Sequence, residues 1–159
     1  MRRHDKEITN RHEIDEIIHT SQVCRIAFAD AGEPYVVPMS YGYDGKALFI
    51  HTANRGRKID FIQKNTRVCF ELEANVALKT DDSDACNWTF EFESLIGYGR
   101  ITELETAEDK AHGLNQIMLH YSRREWEIDE AATATTRVWR IDVESVTGKR
   151  TLEKPNSST

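Results

Sequence analysis

The sequence predicts a mainly β protein, an antiparallel sheet closed into a barrel with helices at its edges. Three observations carry this expectation. About six short apolar runs, rich in Val, Ile, Phe and Tyr, are separated by turn residues. Most follow one another across short turns, as antiparallel neighbours do. Only one connection in the first sheet region, residues 57–64, reads as a helical crossover, which argues against a doubly wound parallel sheet.

The elements follow in order. Asn10 and Glu13 have capping-box spacing, and Ile14, Ile17 and Ile18 share one face of a helix running to about Thr20. Val23 to Ala29 is a strand, Asp30-Ala31-Gly32-Glu33 a turn, and Tyr35 to Tyr43 a second strand. Asp44-Gly45 is a two-residue hairpin signal, after which Ala47 to Thr52 returns antiparallel. Arg57 to Lys64 forms a short helix with Ile59 and Ile62 inward, and Thr66 to Glu73 the next strand. Residues 79–84 are polar and turn-like. Trp88, Phe90 and Phe92 alternate with polar residues as in a half-buried strand, and the alternation slips at Ser94-Leu95-Ile96 as at a bulge. Gly97 and Gly99 face one side and leave room for a close neighbour, backbone or ligand. Thr106 caps a long helix whose apolar stripe is Ala111, Leu114, Met118 and Tyr121. Thr136 to Val143 is the last strand. No repeat or linker divides the chain, so one domain is expected over residues 1–150, with a polar tail at 151–159.

Composition narrows the functional classes. The chain has 159 residues, 39% of them hydrophobic, and a net charge of −6, which suits one domain with a real core. Its cations are scattered apart from Arg2-Arg3 and residues 55–58, so no nucleic-acid footprint is expected. No long apolar run or leader is present, and a soluble cytoplasmic protein is expected. Cys24, Cys69 and Cys86 are odd in number and far apart, as reduced thiols are; the first two sit in strand patterns and Cys86 follows an acidic loop. His12/His19 and His112/His120 lack the i,i+4 spacing of a helical metal pair, so no metal site is expected. The run Asp81-Asp82-Ser83-Asp84 lacks the Gly and Glu of a calcium loop, and no Gly-x-Ser-x-Gly elbow marks a hydrolase.

The most informative segment is Gly56-Arg57-Lys58. Two adjacent cations open a helix at the end that already carries the positive pole of the backbone dipole. Two readings stand. Both side chains extend into water, or an anion binds there, held by free N–H groups, the dipole and two side-chain charges together. His51 ends the preceding strand, close enough in sequence to contact such a ligand or donate a proton to its chemistry. The other histidines, His4, His12, His19, His112 and His120, are expected to be solvated.

Several blocks, in order and spacing, are similar to those of the pyridoxamine 5′-phosphate oxidase-like superfamily. They are Pro34-Tyr35-Val36-Val37-Pro38, Phe49-Ile50-His51-Thr52-Ala53, Gly56-Arg57-Lys58 and Asn65-Thr66-Arg67-Val68-Cys69-Phe70. Arg2-Arg3, Asp5 to Ile8, Ser94 to Arg100, Ile141 and Thr147-Gly148-Lys149 extend the resemblance over roughly residues 2–150, nearest to the nitroimidazole-resistance type. The resemblance implies an antiparallel split β-barrel that binds FMN, as a homodimer with two flavin sites at the subunit interface. It implies phosphate contacts from His51, Thr52, Arg57 and Lys58, with Ala53 also among the cofactor-binding residues. The flavin ring would lie along Val37, Pro38, Met39 and Ser40, of which Pro38 has no N–H to give. Ser94 and Trp139 are candidates for the wall that the partner subunit supplies.

The implied activity is reduction of small nitroaromatic or related electron-poor substrates, with His51 as the titratable group at the flavin. No Gly-x-Gly-x-x-Gly motif is present, so an NAD(P)H donor would dock transiently. The alternative is a non-catalytic carrier of flavin or haem, since relatives of this barrel bind haem or a deazaflavin. The Arg-rich C-terminal segment of true pyridoxamine-phosphate oxidases is missing, so vitamin B6 oxidation is not expected.

Overall fold

The computed structural model describes residues 6–151. Eight strands form one antiparallel sheet: β1 (Glu7–Ile8), β2 (Cys24–Asp30), β3 (Glu33–Met39), β4 (Gly42–Tyr43), β5 (Ala47–Thr52), β6 (Arg67–Lys79), β7 (Thr89–Leu104) and β8 (Arg137–Arg150). The helices are α1 (Arg11–Thr20), α2 (Arg57–Lys64), α3 (Ala107–Ser122) and α4 (Glu130–Thr135). Neighbours run β3-β2-β6-β7-β8-β5-β4, with β1 on β8. The two ends of this path, β3 and β4, are consecutive in sequence and joined only by Ser40-Tyr41. One bent segment therefore curls the sheet into a barrel. The sequence reads that segment as a single strand, Tyr35 to Tyr43; in the fold its halves pair with different partners, β3 with β2 and β4 with β5.

Large apolar side chains fill the interior: Ile26, Phe28, Leu48, Ile50, Phe70, Leu72, Leu95, Ile101 and Ile141 are all buried. Ile14, Ile17 and Ile18 seal one side from α1, whose capping Asn10 accepts from the His12 and Glu13 amides. A smaller cluster of Ala47, Phe49 and Ile117 lies between β5 and α3, so β5 is buried on both faces until His51. Gly42 allows α3 to sit this close: a Cβ there would lie 2.2 Å from the Gln116 carbonyl carbon. In the β4–β5 hairpin, Asp44 N–H bonds to the Ala47 carbonyl, and Gly45 takes the positive φ the turn needs.

Four expectations change. The alternation along β7 does not slip at Ser94-Leu95-Ile96: Glu93, Leu95, Gly97, Gly99 and Ile101 all face inward. The apparent slip arises because Glu93 is a buried carboxylate, held by Asn75 Nδ2 at 2.6 Å and Arg150 Nε at 2.5 Å. Trp88 and Phe90 are consequently exposed, and the register irregularities fall between Ala74 and Ala77 of β6 and beside Tyr98/Gly99. Second, the buried face of α3 is Gly113, Ile117 and His120, whereas Leu114 and Met118 are half-buried and Tyr121 is exposed. Third, His120 is not solvated; it is 7% exposed, with Nε2 bonded to the Ser21 carbonyl at 2.8 Å and its ring 4.4 Å from that of Tyr41. Fourth, β8 runs on to Arg150, and Thr151 is tied to Phe92 and Phe90. The glycine reading holds at Gly99, where the close neighbour is backbone, the Asp142 carbonyl; over Gly97 the space is filled by the Phe70 ring, a side chain in place of the backbone or ligand expected. The readings of Arg2-Arg3, His4 and the tail after Thr151 lie outside the described residues.

Candidate functional site

The free edge of β3, the end of β5 and the start of α2 meet where the barrel is open. A cavity of about 140 Å³ lies there, lined by Tyr35, Thr52, Ala53, Arg55, Gly56, Arg57, Lys58 and Ile59. Helix α2 reaches this place because its buried Ile59, Phe61 and Ile62 pack inward and its ends are tied to the β2–β3 hairpin. Arg57 pairs with Glu33 at 3.0 Å, Lys64 with Asp30 at 2.8 Å, and Asn65 Nδ2 donates to the Ala29 carbonyl at 2.9 Å.

The helix start is built differently from the others. Asn10, Thr106 and Asp129 cap α1, α3 and α4 through their side chains, but Gly56 opens α2 with φ of 137° and no side-chain cap. Glycine is required by that dihedral, and its lack of a side chain leaves the first N–H groups of the helix free for an outside acceptor. Arg57 is held over the Tyr35 ring at 4.8 Å and the Phe61 ring at 5.6 Å. Lys58 is half-exposed and has no ion pair among the described residues. Uncapped N–H groups, the helix dipole and the side chains of Arg55, Arg57 and Lys58 thus meet at one small cavity. Their chemistry suits a phosphate ester.

The remaining expected residues divide. Pro34 and Pro38 have the same parity on β3 and cannot donate to the ladder with β2. The alternation therefore turns the Val36 N–H group, with the Pro34, Val36 and Pro38 carbonyls, toward the open edge. The side chains of Val37 and Met39, with Tyr35, pack against the core. Thr52 is 5% exposed; its hydroxyl donates to the Ala53 carbonyl and accepts from Trp139 Nε1, so it has no proton left for a phosphate. Trp139 is inside the barrel, 3% exposed, and cannot form a wall reached from another subunit. Ser94 is half-buried on β7, on the outward parity with Ile96 and Tyr98, opposite Glu73 and Lys149. His51 is exposed on the opposite face of β5 from Thr52 and does not line the cavity, so a catalytic role gains nothing from its placement.

Sequence reasoning missed Tyr35, Arg55, Glu33, Glu103 and Arg137. Arg137 bonds Glu103 through two nitrogens and donates to the Asn54 carbonyl at 3.4 Å, while its guanidinium holds the Glu103 carboxyl below the usual range. Only the cluster 55–58 carried a signal for any of these. Asp81 accepts from Ser83, Asp84 and Asn87 within its own loop, which gives the acidic run a scaffolding role.

Comparisons agree with this architecture. The profile of the family described as pyridoxamine 5′-phosphate oxidase matches residues 10–150. The structure of a candidate 5-nitroimidazole antibiotic resistance protein from Bacteroides thetaiotaomicron is similar, with 31% identity and a TM-score of 0.79 over 90% of this chain and 85% of that one. The flavocytochrome Anf3 from Azotobacter vinelandii matches at TM-score 0.79 and 16% identity, over 99% of this chain and 75% of its own. A FAD-binding protein from Mesorhizobium loti matches at TM-score 0.67 and 23% identity, over 92% and 98%. At these last two identities the likeness is one of fold. An uncharacterised protein of Rhizobium meliloti is 22% identical over 105 residues, 66% of this chain and 62% of that relative's length.

Proposed function

The chain belongs to the pyridoxamine 5′-phosphate oxidase family, and we propose that it is an FMN-binding flavoprotein that reduces small nitroaromatic or related electron-poor molecules. The observation that carries the reading is the uncapped start of α2, with Arg55, Arg57 and Lys58 around a cavity beside the open edge of β3. Arg57, Lys58 and the backbone from Ala53 to Lys58 would hold the phosphate. The open edge at Val36, Pro38 and Ser40 would meet the polar rim of the ring. Bound flavin supplies the electron transfer; the chain supplies orientation, charge and access. The likeness to the Bacteroides protein, a candidate 5-nitroimidazole antibiotic resistance protein, supports the substrate class.

A homodimer belongs to the proposal. The outer face of β3, β2, β6 and β7 exposes Val36, Ile96 and Tyr98 beside a shallow groove of about 520 Å³ lined by Ala27, Cys69 and the Arg25–Glu71 pair. A second copy covering this face would bring a polar and apolar wall, including its own Ser94, near the open edge. Among the described residues no helix is long and apolar enough to cross a membrane.

The second reading, a flavin or haem carrier without turnover, is favoured by the haem named for a Mycobacterium smegmatis structure of the same fold, described as FAD- and haem-binding. The cationic cavity favours a phosphorylated ligand over haem. The test is the absorbance spectrum of the purified protein, with the released chromophore identified by mass. FMN, followed by bleaching with NAD(P)H and reoxidation by a nitroimidazole, is the expected result. A Soret band, or no uptake of added FMN, would overturn it.

A further inference from the structure

We propose that Trp139 and Arg137, neither of which lines the phosphate cavity, act as positioning residues that set its donors from beneath. The proposal rests on reading the cavity as a flavin phosphate site.

Two relays run side by side toward the turn after β5, the first from the buried Trp139 and the second from the half-buried Arg137–Glu103 pair. In the first, Trp139 Nε1–H donates to Thr52 Oγ1 at 2.9 Å, and the Thr52 hydroxyl donates to the Ala53 carbonyl at 3.0 Å. In the second, Glu103 fixes the Arg137 guanidinium, which donates to the Asn54 carbonyl at 3.4 Å. Thr52 and Arg137 are ladder partners, and the Arg137 guanidinium lies 4.7 Å over the Trp139 ring, so the relays share one rung of the sheet.

Their target is the turn between β5 and α2. The carbonyls of Ala53 and Asn54 are both held from the barrel side. In a trans peptide the N–H points opposite to the C=O of the same plane. Fixing these carbonyls turns the Asn54 and Arg55 N–H groups away from them, and Arg55 lines the cavity together with Gly56, Arg57 and Lys58. The structure thereby assigns a longer run of backbone donors than the helix start alone would give, an anion-binding concavity built from successive N–H groups. It also explains why Thr52, whose proton is already committed, belongs to the site: it transmits the orientation of Trp139 to the turn.

The experiment titrates FMN and riboflavin, which share the ring and differ in the phosphate, against the wild type, Trp139→Phe, Thr52→Val and Thr52→Ser. Trp139→Phe removes the donor and keeps a ring. Thr52→Val keeps the shape and removes the relay. Thr52→Ser restores the hydroxyl. Trp139→Phe and Thr52→Val are each expected to weaken FMN about tenfold, the usual scale of one buried hydrogen bond, and to leave riboflavin within about twofold. Thr52→Ser is expected to bind FMN as the wild type does. Equal losses for both ligands, or unchanged FMN binding in both variants, would overturn the positioning role. A wild type that binds riboflavin as tightly as FMN would instead overturn the phosphate site on which the proposal rests.

Discussion

Glu33 is the residue whose removal should improve the site. Its carboxylate lies 3.0 Å from Arg57, and both side chains are more than half exposed, at 65% and 56%. An exposed pair of this kind is worth about 0–1 kcal/mol, because water and salt screen it. An incoming phosphate must share or displace it. Glu33→Gln keeps the shape and an acceptor oxygen but removes the competing charge. FMN should then bind up to about fivefold more tightly, the affinity equivalent of about 1 kcal/mol. Fold stability should move the other way, by no more than about 1 kcal/mol. The gain should shrink between about 0.05 M and 1 M salt, as the screening length falls to about 3 Å. Riboflavin, which has no phosphate, should not notice the change. Lys58→Ala is the opposing control: with no carboxylate paired to its ammonium among the described residues, it should lose about 1.5–3 kcal/mol, roughly 10- to 150-fold. Quenching of flavin fluorescence on titration measures each value. Weaker FMN binding by Glu33→Gln, or an equal gain for riboflavin, would refute the account of Arg57 as a shared cation. Unchanged FMN affinity in both Arg57→Ala and Lys58→Ala would remove the clamp altogether.

Other outcomes follow from the packing. Gly42→Ala places a Cβ 2.2 Å from backbone of α3, which cannot yield as a side chain can. A loss of about 1–3 kcal/mol is expected, lowering the melting temperature by about 3–10 °C; an unchanged melting curve would mean that α3 is not held against β4. Burial lowers the His120 pKa, so the unfolded chain takes up its proton first as pH falls. Stability should therefore decline as pH falls below about 6.5, until the folded-state pKa is also passed. His120→Gln should flatten that part of a plot of denaturation midpoint against pH; an unaltered slope would assign it to other groups.

What was legible in the sequence follows from which forces act locally. Asn10, Asp44-Gly45 and Thr106 set caps and turns through their own side chains or φ, so they could be read without the fold. The cations at 57 and 58 were legible because they violate a local electrostatic preference. Glu93 was not: a charged residue at an inward position makes sense only once Arg150, 57 residues away, is seen beside it. The same holds for Trp139, which the pattern leaves free to be a surface aromatic until Thr52 takes its N–H. His120 read as solvated because its partner, the Ser21 carbonyl, belongs to a different helix end. The bend at Ser40-Tyr41 escaped because both halves are extended and apolar; only the choice of ladder partner separates them.

The order of the strands has a consequence for how the chain is made. Strand β8 pairs with β1, β5 and β7, and β5 otherwise has only the two-residue ladder to β4. A ribosome releases β5 long before residues 137–150 exist. Throughout that interval β5, apolar on both faces, waits with one edge bare, and the ring has no closing stave. Local hairpins such as β2–β3 can form during synthesis, but the barrel cannot shut until its last strand emerges and joins segments from both ends of the chain. A message cut short before residue 137 would thus yield a sticky open sheet, a natural client for chaperones and proteases, instead of a smaller version of the same protein.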